Sequence, residues 1–191
     1  MNRRTYLKSI FALGASVTVS FSVFKWFDLN MPINPDRLWD KRAIILELAE
    51  LIIPRTDTPG AKDAALDVYI INVLVHCNTA KQQHKFYYGI KDLEEFAVRN
   101  YGREFLACSK AEMYKILEYS ATQASYSYNI LRKIDNRLFG EPFFLKLKEL
   151  TIEGYCLSKP GATAGLAYDY IPGNYQGCIP MGQNQKSWAT K

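Results

Sequence analysis

The chain has 191 residues, 48% hydrophobic and 23% charged. That is enough for one domain around one core, and too apolar for a disordered chain. Its formal charge of +5 is misleading: the first 28 residues hold four of the 24 cations and one of the 19 acids, leaving 20 against 18. No Lys/Arg run follows, so a nucleic-acid-binding surface has no footing.

The chain opens Asn2-Arg3-Arg4-Thr5-Tyr6-Leu7-Lys8. Arg3 and Arg4, followed by Tyr6, Leu7 and Lys8 and then a modestly apolar run, form the pattern of a twin-arginine export signal. That pathway moves proteins already folded, often with a cofactor inside. Ile10–Phe24 is diluted by Gly14, Ser16, Thr18, Ser20 and Ser22. As a helix it would rise about 22 Å, short of the roughly 30 Å hydrocarbon core. A signal h-region is therefore favoured over a spanning helix, within an export signal at residues 1–28. No Ala-x-Ala marks a cut, and retention as an N-terminal anchor stays open, with Lys25 snorkelling and Trp26 at the interface.

Residues 29–37, with Pro32 and Pro35, read as a linker to a helical body at 38–158. Leu38–Ile53 carries Leu38, Ile44, Ile45, Leu48, Leu51 and Ile52 at helical spacing, and Pro54 stops it. Pro54–Ala61 then reads as a tight turn: Pro59 pre-sets φ, Gly60 tolerates positive φ, and Asp57 is an Asx-turn acceptor. Asp63–His76 is apolar nearly all round, which predicts a central helix. Asn78 or Thr79 caps a third long helix to about Tyr101, ended by Gly102, with Phe86, Ile90, Leu93, Phe96 and Ala97 inward. Ser109-Lys110-Ala111-Glu112 is a capping box that opens a fourth, with Met113, Ile116 and Leu117 inward. Gln123–Leu138 is expected to be helical. Pro142 at a first-turn position starts a last helix with Phe143, Phe144, Leu147, Leu150 and Tyr155 apolar. No convincing strand appears, so the expected fold is all-α, a small domain of about five to six helices.

From Lys159 to Lys191 the character changes. Five glycines and three prolines preclude a regular helix there, while Tyr168, Tyr170, Tyr175, Ile179 and Trp188 are interleaved among them. The expectation is an extended arm at 159–191 that packs its rings on its own core or on a partner.

Catalytic candidates are sparse. No Gly-x-Gly-x-x-Gly follows a strand. His76 and His84, the two histidines, lie about 80° apart on a continuous helix and lack a carboxylate cluster, which makes a poor metal site. Ser109 is spent on its cap. Glu153, beside Gly154 and Tyr155, is a candidate partner contact. Cys77, Cys108, Cys156 and Cys178 have no Cys-x-x-Cys spacing; after export to an oxidising compartment they are disulfide candidates. Their pairing, within this chain or to another, stays open. Cys77, in an apolar helical stretch, reads as a buried small hydrophobe. Cys178 sits where bridging is sterically easiest.

Three segments carry a family resemblance. Leu48-Ala49-Glu50-Leu51-Ile52-Ile53-Pro54-Arg55-Thr56-Asp57-Thr58-Pro59-Gly60-Ala61 resembles the signature of the gluconate 2-dehydrogenase subunit 3 family. Leu150-Thr151-Ile152-Glu153-Gly154-Tyr155 and the stretch from Ala167-Tyr168-Asp169-Tyr170 to Cys178-Ile179-Pro180 are similar to it as well. The resemblance runs from about residue 40 to 181; Lys81–Arg137 matches no nameable motif.

The resemblance implies a non-catalytic accessory subunit with no cofactor of its own. Its partner would be a large flavin-dependent dehydrogenase subunit of the glucose-methanol-choline type, holding FAD and oxidising a sugar or polyol. A cytochrome c subunit with haem c would pass the electrons on. The small subunit would stabilise the flavoprotein and lend it the twin-arginine signal, so that the translocase delivers both to the periplasm. Interface candidates are Thr56, Asp57, Pro59 and Gly60 of the turn, Tyr155, and Tyr168, Tyr170, Pro172 and Tyr175 of the arm, because aromatics dominate such surfaces. Two other classes are open. A standalone periplasmic binding module or envelope chaperone would lack a leaderless flavin dehydrogenase encoded beside it. An independent enzyme would turn over sugars with a dye acceptor and no second chain.

Overall fold

The computed structural model describes residues 31–124 and 140–189, apart from 172, 175, 176, 179 and 181. The leader with Arg3, Arg4, Tyr6, Leu7 and Lys8, the helix expected at Gln123–Leu138 beyond Ala124, and Pro172 and Tyr175 lie outside the described residues.

The domain is all-α. Its described helices are α1 (Pro35–Trp39), α2 (Arg42–Ile52), α3 (Leu66–Cys77), α4 (Ala80–Tyr101), α5 (Lys110–Gln123) and α6 (Phe143–Leu157). A 3₁₀ turn at Phe105–Ala107 precedes α5, and a π-turn at Gly161–Gly165 follows α6. Among the described residues, no helix is long and apolar enough to cross a membrane.

Local chemistry accounts for most boundaries. Asn34 accepts from the Asp36 amide at 3.0 Å and Pro35 supplies a pre-set φ, so α1 starts inside the expected linker. The single helix expected at Leu38–Ile53 is two. Lys41 leaves helical geometry (φ −91°, ψ 6°) and sends its ammonium to Glu94 on α4 at 2.8 Å. Likewise α3 starts at Leu66, not Asp63, because Ala65 adopts a left-handed φ of 48° and Asp63 is held in the preceding turn. Thr79 caps α4 and Gly102, at φ 65°, ends it; Ser109 and Glu112 form the expected reciprocal box. Pro142 stands at the cap of α6, one place before its first turn.

Helix α3 is central, packing on α1, α2, α4 and α6. Leu48, Leu66, Ile70, Leu74, Phe86, Ile90, Phe105 and Leu147 are fully buried around it. Each such side chain contributes roughly 1.5–3 kcal/mol by leaving water. Phe105, which no periodic pattern marks, plugs the gap between α2 and α4 from the 3₁₀ turn.

The buried polar side chains are tied to backbone or charge, with the Nδ1 atom of His84 the exception among the described residues. Asp67, 1% exposed, bonds the Arg42 guanidinium. Gln83 donates to the Leu74, Val75 and Asn78 carbonyls at 3.0, 3.1 and 3.4 Å and accepts from the Ile33 amide at 3.1 Å. It thereby satisfies orphan carbonyls at the end of α3. His84 is buried, with Nε2 against the Met31 carbonyl at 3.0 Å.

Candidate partner-docking surface

Residues 54–61 lie between α2 and α3 and are held in shape by side chains on both flanks. Glu50, in the last turns of α2, accepts from the Arg55 amide at 3.0 Å and from the Lys62 amide at 2.9 Å, bridging the two ends of the turn. Asp63 accepts from the Gly60 amide at 2.9 Å and pairs with Arg55 at 3.3 Å. Within the turn the Thr56 amide reaches the Thr58 carbonyl at 3.1 Å, and the Ala61 amide returns to Ile53 at 3.0 Å.

Two expectations change here. Glu50 and Asp63, not Asp57, are the carboxylate acceptors; Asp57 lies exposed at the tip. Glycine at position 60 is needed for close approach rather than for positive φ. A Cβ there would stand 2.6 Å from the Arg55 nitrogen and 2.8 Å from both Glu50 carboxylate oxygens. Sequence reasoning passed over Glu50 and Asp63 as functional shapers. Their signal was present: acids placed just before Pro54 and just after Gly60 can reach the free N–H groups of a proline-flanked turn.

The third support comes from far along the chain. The Tyr155 hydroxyl on α6 donates to the Pro59 carbonyl at 2.8 Å. Tyr155, offered as a partner contact, is only 8% exposed and points into this chain. Next to it, Tyr69 of α3 lies where a Cβ on Gly154 would stand 2.5 Å from its Cδ1. Burial raises the Tyr69 phenol above its ordinary value, and the neighbouring Glu153 carboxylate adds to the rise. The segment Glu153-Gly154-Tyr155 thus meets α3 and the turn from one stretch of α6.

A surface groove of ≈ 480 Å³ runs beside the turn, with Arg55, Thr56, Asp57 and Pro59 on one wall and Pro160 and Ala164 on the other. The chain beyond α6 forms the second wall and then returns. The Ala167 amide donates to Ser187 at 2.8 Å, the Ala189 amide to Ala167 at 2.8 Å, and the Lys186 ammonium to Ala164 at 2.7 Å. The arm therefore includes a π-turn and doubles back at an isolated parallel bridge between Ala167 and Trp188. Its large apolar side chains face outward: Tyr168 is 46%, Tyr170 83%, Ile171 76% and Trp188 51% exposed.

Within this chain none of the four cysteines is paired with another. Cys77 is exposed rather than buried, because the last residue of α3 turns away from the packed faces. Cys156 and Cys178 are exposed as well, and Cys108 is buried. Burial and the nearby Glu112 raise the Cys108 thiol above its ordinary value, with Arg103 opposing. Among the described residues no group of three or more His, Cys, Asp or Glu side chains is placed to hold a metal.

A family model described as gluconate 2-dehydrogenase subunit 3 matches residues 40–173. The chain belongs to the gluconate 2-dehydrogenase subunit 3 family. No curated protein and no solved structure matches it. The subunit 3 match takes in the turn with its Glu50 and Asp63 supports, helices α2 to α6, the π-turn, and Tyr168, Tyr170 and Ile171. It leaves out α1 and the Trp188 side of the isolated bridge. Membership of the subunit 3 family makes this chain an accessory subunit of a dehydrogenase complex.

Proposed function

We propose that this chain is the non-catalytic subunit of a periplasmic complex whose large, FAD-bearing subunit oxidises a sugar or polyol, with a haem-c subunit as onward electron carrier. Its work is to stabilise the folded flavoprotein and to lend it the twin-arginine signal at Arg3-Arg4, so that one leader exports two chains. The interface consists of the Pro54–Ala61 turn, its groove and the outward rings of the arm.

The observation that carries this reading is the pairing of a locked turn with an exposed aromatic strip inside the family-matched span. A monomer seldom leaves several large apolar side chains open along one short segment without a use. Complexes that never come apart bury large apolar areas anchored by aromatics.

Affinity capture of the full chain from the envelope fraction, with mass spectrometry, tests the partner: a flavoprotein dehydrogenase is the expected co-purifying chain. Replacing Arg3-Arg4 by Lys-Lys should hold both chains in the cytoplasm, and export of the flavoprotein regardless would refute the shared leader. Recovery of the chain alone and monomeric, with no flavin-bearing companion in those cells, would favour a standalone binding module.

A further inference from the structure

We propose that Tyr155 is a positioning residue, coupling the π-turn at Gly161–Gly165 to the Pro54–Ala61 turn so that the segment after Ser158 sets the shape of the docking loop. The proposal deepens the docking reading above and rests on it for its functional consequence.

The coupling is visible from both ends. On the loop side, the hydrogen bonds that close the turn are local among the described residues, running between positions 50 and 66, except the one from Tyr155 to Pro59. Among the described residues it is the one hydrogen bond that ties the turn to α6. On the tail side, the chain folds back tightly over the same tyrosine. Ser158 Oγ donates to the Tyr155 carbonyl at 2.8 Å and accepts from the Gly161 amide at 3.0 Å. A Cβ at Gly161 would fall on that carbonyl, and one at Gly165 would stand 2.5 Å from the Tyr155 hydroxyl oxygen and 2.9 Å from Cε1. The two bare glycines let the π-turn close over Tyr155 and hold its hydroxyl toward Pro59.

A loop kept in its bound shape loses less freedom on association, so affinity depends on residues that never touch the partner. In this arrangement the π-turn adds to docking through shape as well as through the groove wall it supplies.

The test is amide hydrogen exchange on the full-length chain, comparing wild type, Tyr155→Phe and Gly165→Ala. Tyr155→Phe removes one hydroxyl and leaves the ring in place. A single bond of this kind should protect the Gly60 and Ala61 amides by roughly two- to tenfold, so exchange there should quicken by that factor while the α3 amides stay unchanged. Gly165→Ala should give the same local pattern. If Gly165→Ala fails to fold, Tyr155→Phe alone decides. Unchanged exchange at Gly60 and Ala61, or acceleration spread evenly over α3 and α4, would overturn the coupling. Affinity for the captured partner is read separately and should weaken with the loosened turn. A loosened turn with undiminished affinity leaves the coupling standing and removes the turn from the interface.

Discussion

The side-chain amide of Gln82 pairs with the backbone of Glu141 in both directions, donating to its carbonyl at 3.1 Å and accepting from its amide at 2.6 Å. A buried glutamine in the first turn of α4 thus fixes the residue just ahead of α6, 59 positions away. Gln82→Ala should cost about 1–3 kcal/mol, the usual loss when partly buried polar groups are stripped of a partner. A lower urea midpoint at unchanged slope would verify it.

Glycine at position 89 lets α4 and α6 touch. A Cβ there would fall on Cβ and Cγ of Phe143, whose ring also packs edge-on against Phe86 with centroids 4.9 Å apart. Gly89→Ala should gain about 1 kcal/mol of helix propensity. Overpacking costs about 1–3 kcal/mol, and the blocked atom is a Cβ that no rotamer can move. The net effect should be destabilising, seen as a lower melting temperature.

The capping box supplies a pH dependence. Glu112 accepts from the Ser109 amide at 2.7 Å and from its hydroxyl at 2.9 Å. Those bonds, the backbone one first, hold its carboxyl below the ordinary glutamate value. A depressed folded-state value means stabilisation that is present above the unfolded value and lost as pH falls through the folded one. Glu112→Gln should therefore lower the melting temperature at neutral pH, and the gap from wild type should close in strong acid. A gap that persists at acid pH would refute the ionic part of the cap.

Thiol reactivity should divide along the burial pattern. Cys108 is 7% exposed with its thiol value raised by burial, whereas Cys77, Cys156 and Cys178 are exposed. Since the thiolate is the reactive form, iodoacetamide should modify Cys108 at least roughly tenfold more slowly than Cys77 in the native chain. Mass spectrometry of timed digests measures this, and denaturant should erase the difference.

What was legible in the sequence was local. The Thr79 and Gly102 boundaries, the Ser109–Glu112 box and the inward faces of α4 and α6 all depend on side chains within a few residues of one another. What escaped depends on distant partners. Lys41, where the helix breaks, meets Glu94, and the Tyr155 hydroxyl bonds a carbonyl 96 positions earlier. Ala65 takes a left-handed conformation that its type does not announce. Pro54, Pro59 and Gly60 mark the turn in the sequence, but not which carboxylates hold it. Proximity in sequence favoured Asp57, while the fold brings Glu50 and Asp63 to the free N–H groups.

One buried side chain, Gln83, serves two segments at once. It holds the corner between α3 and α4 and receives the Ile33 N–H ahead of α1. Opening that corner would strip the N-terminal lead-in of its acceptor, so a disturbance at either place is felt at the other.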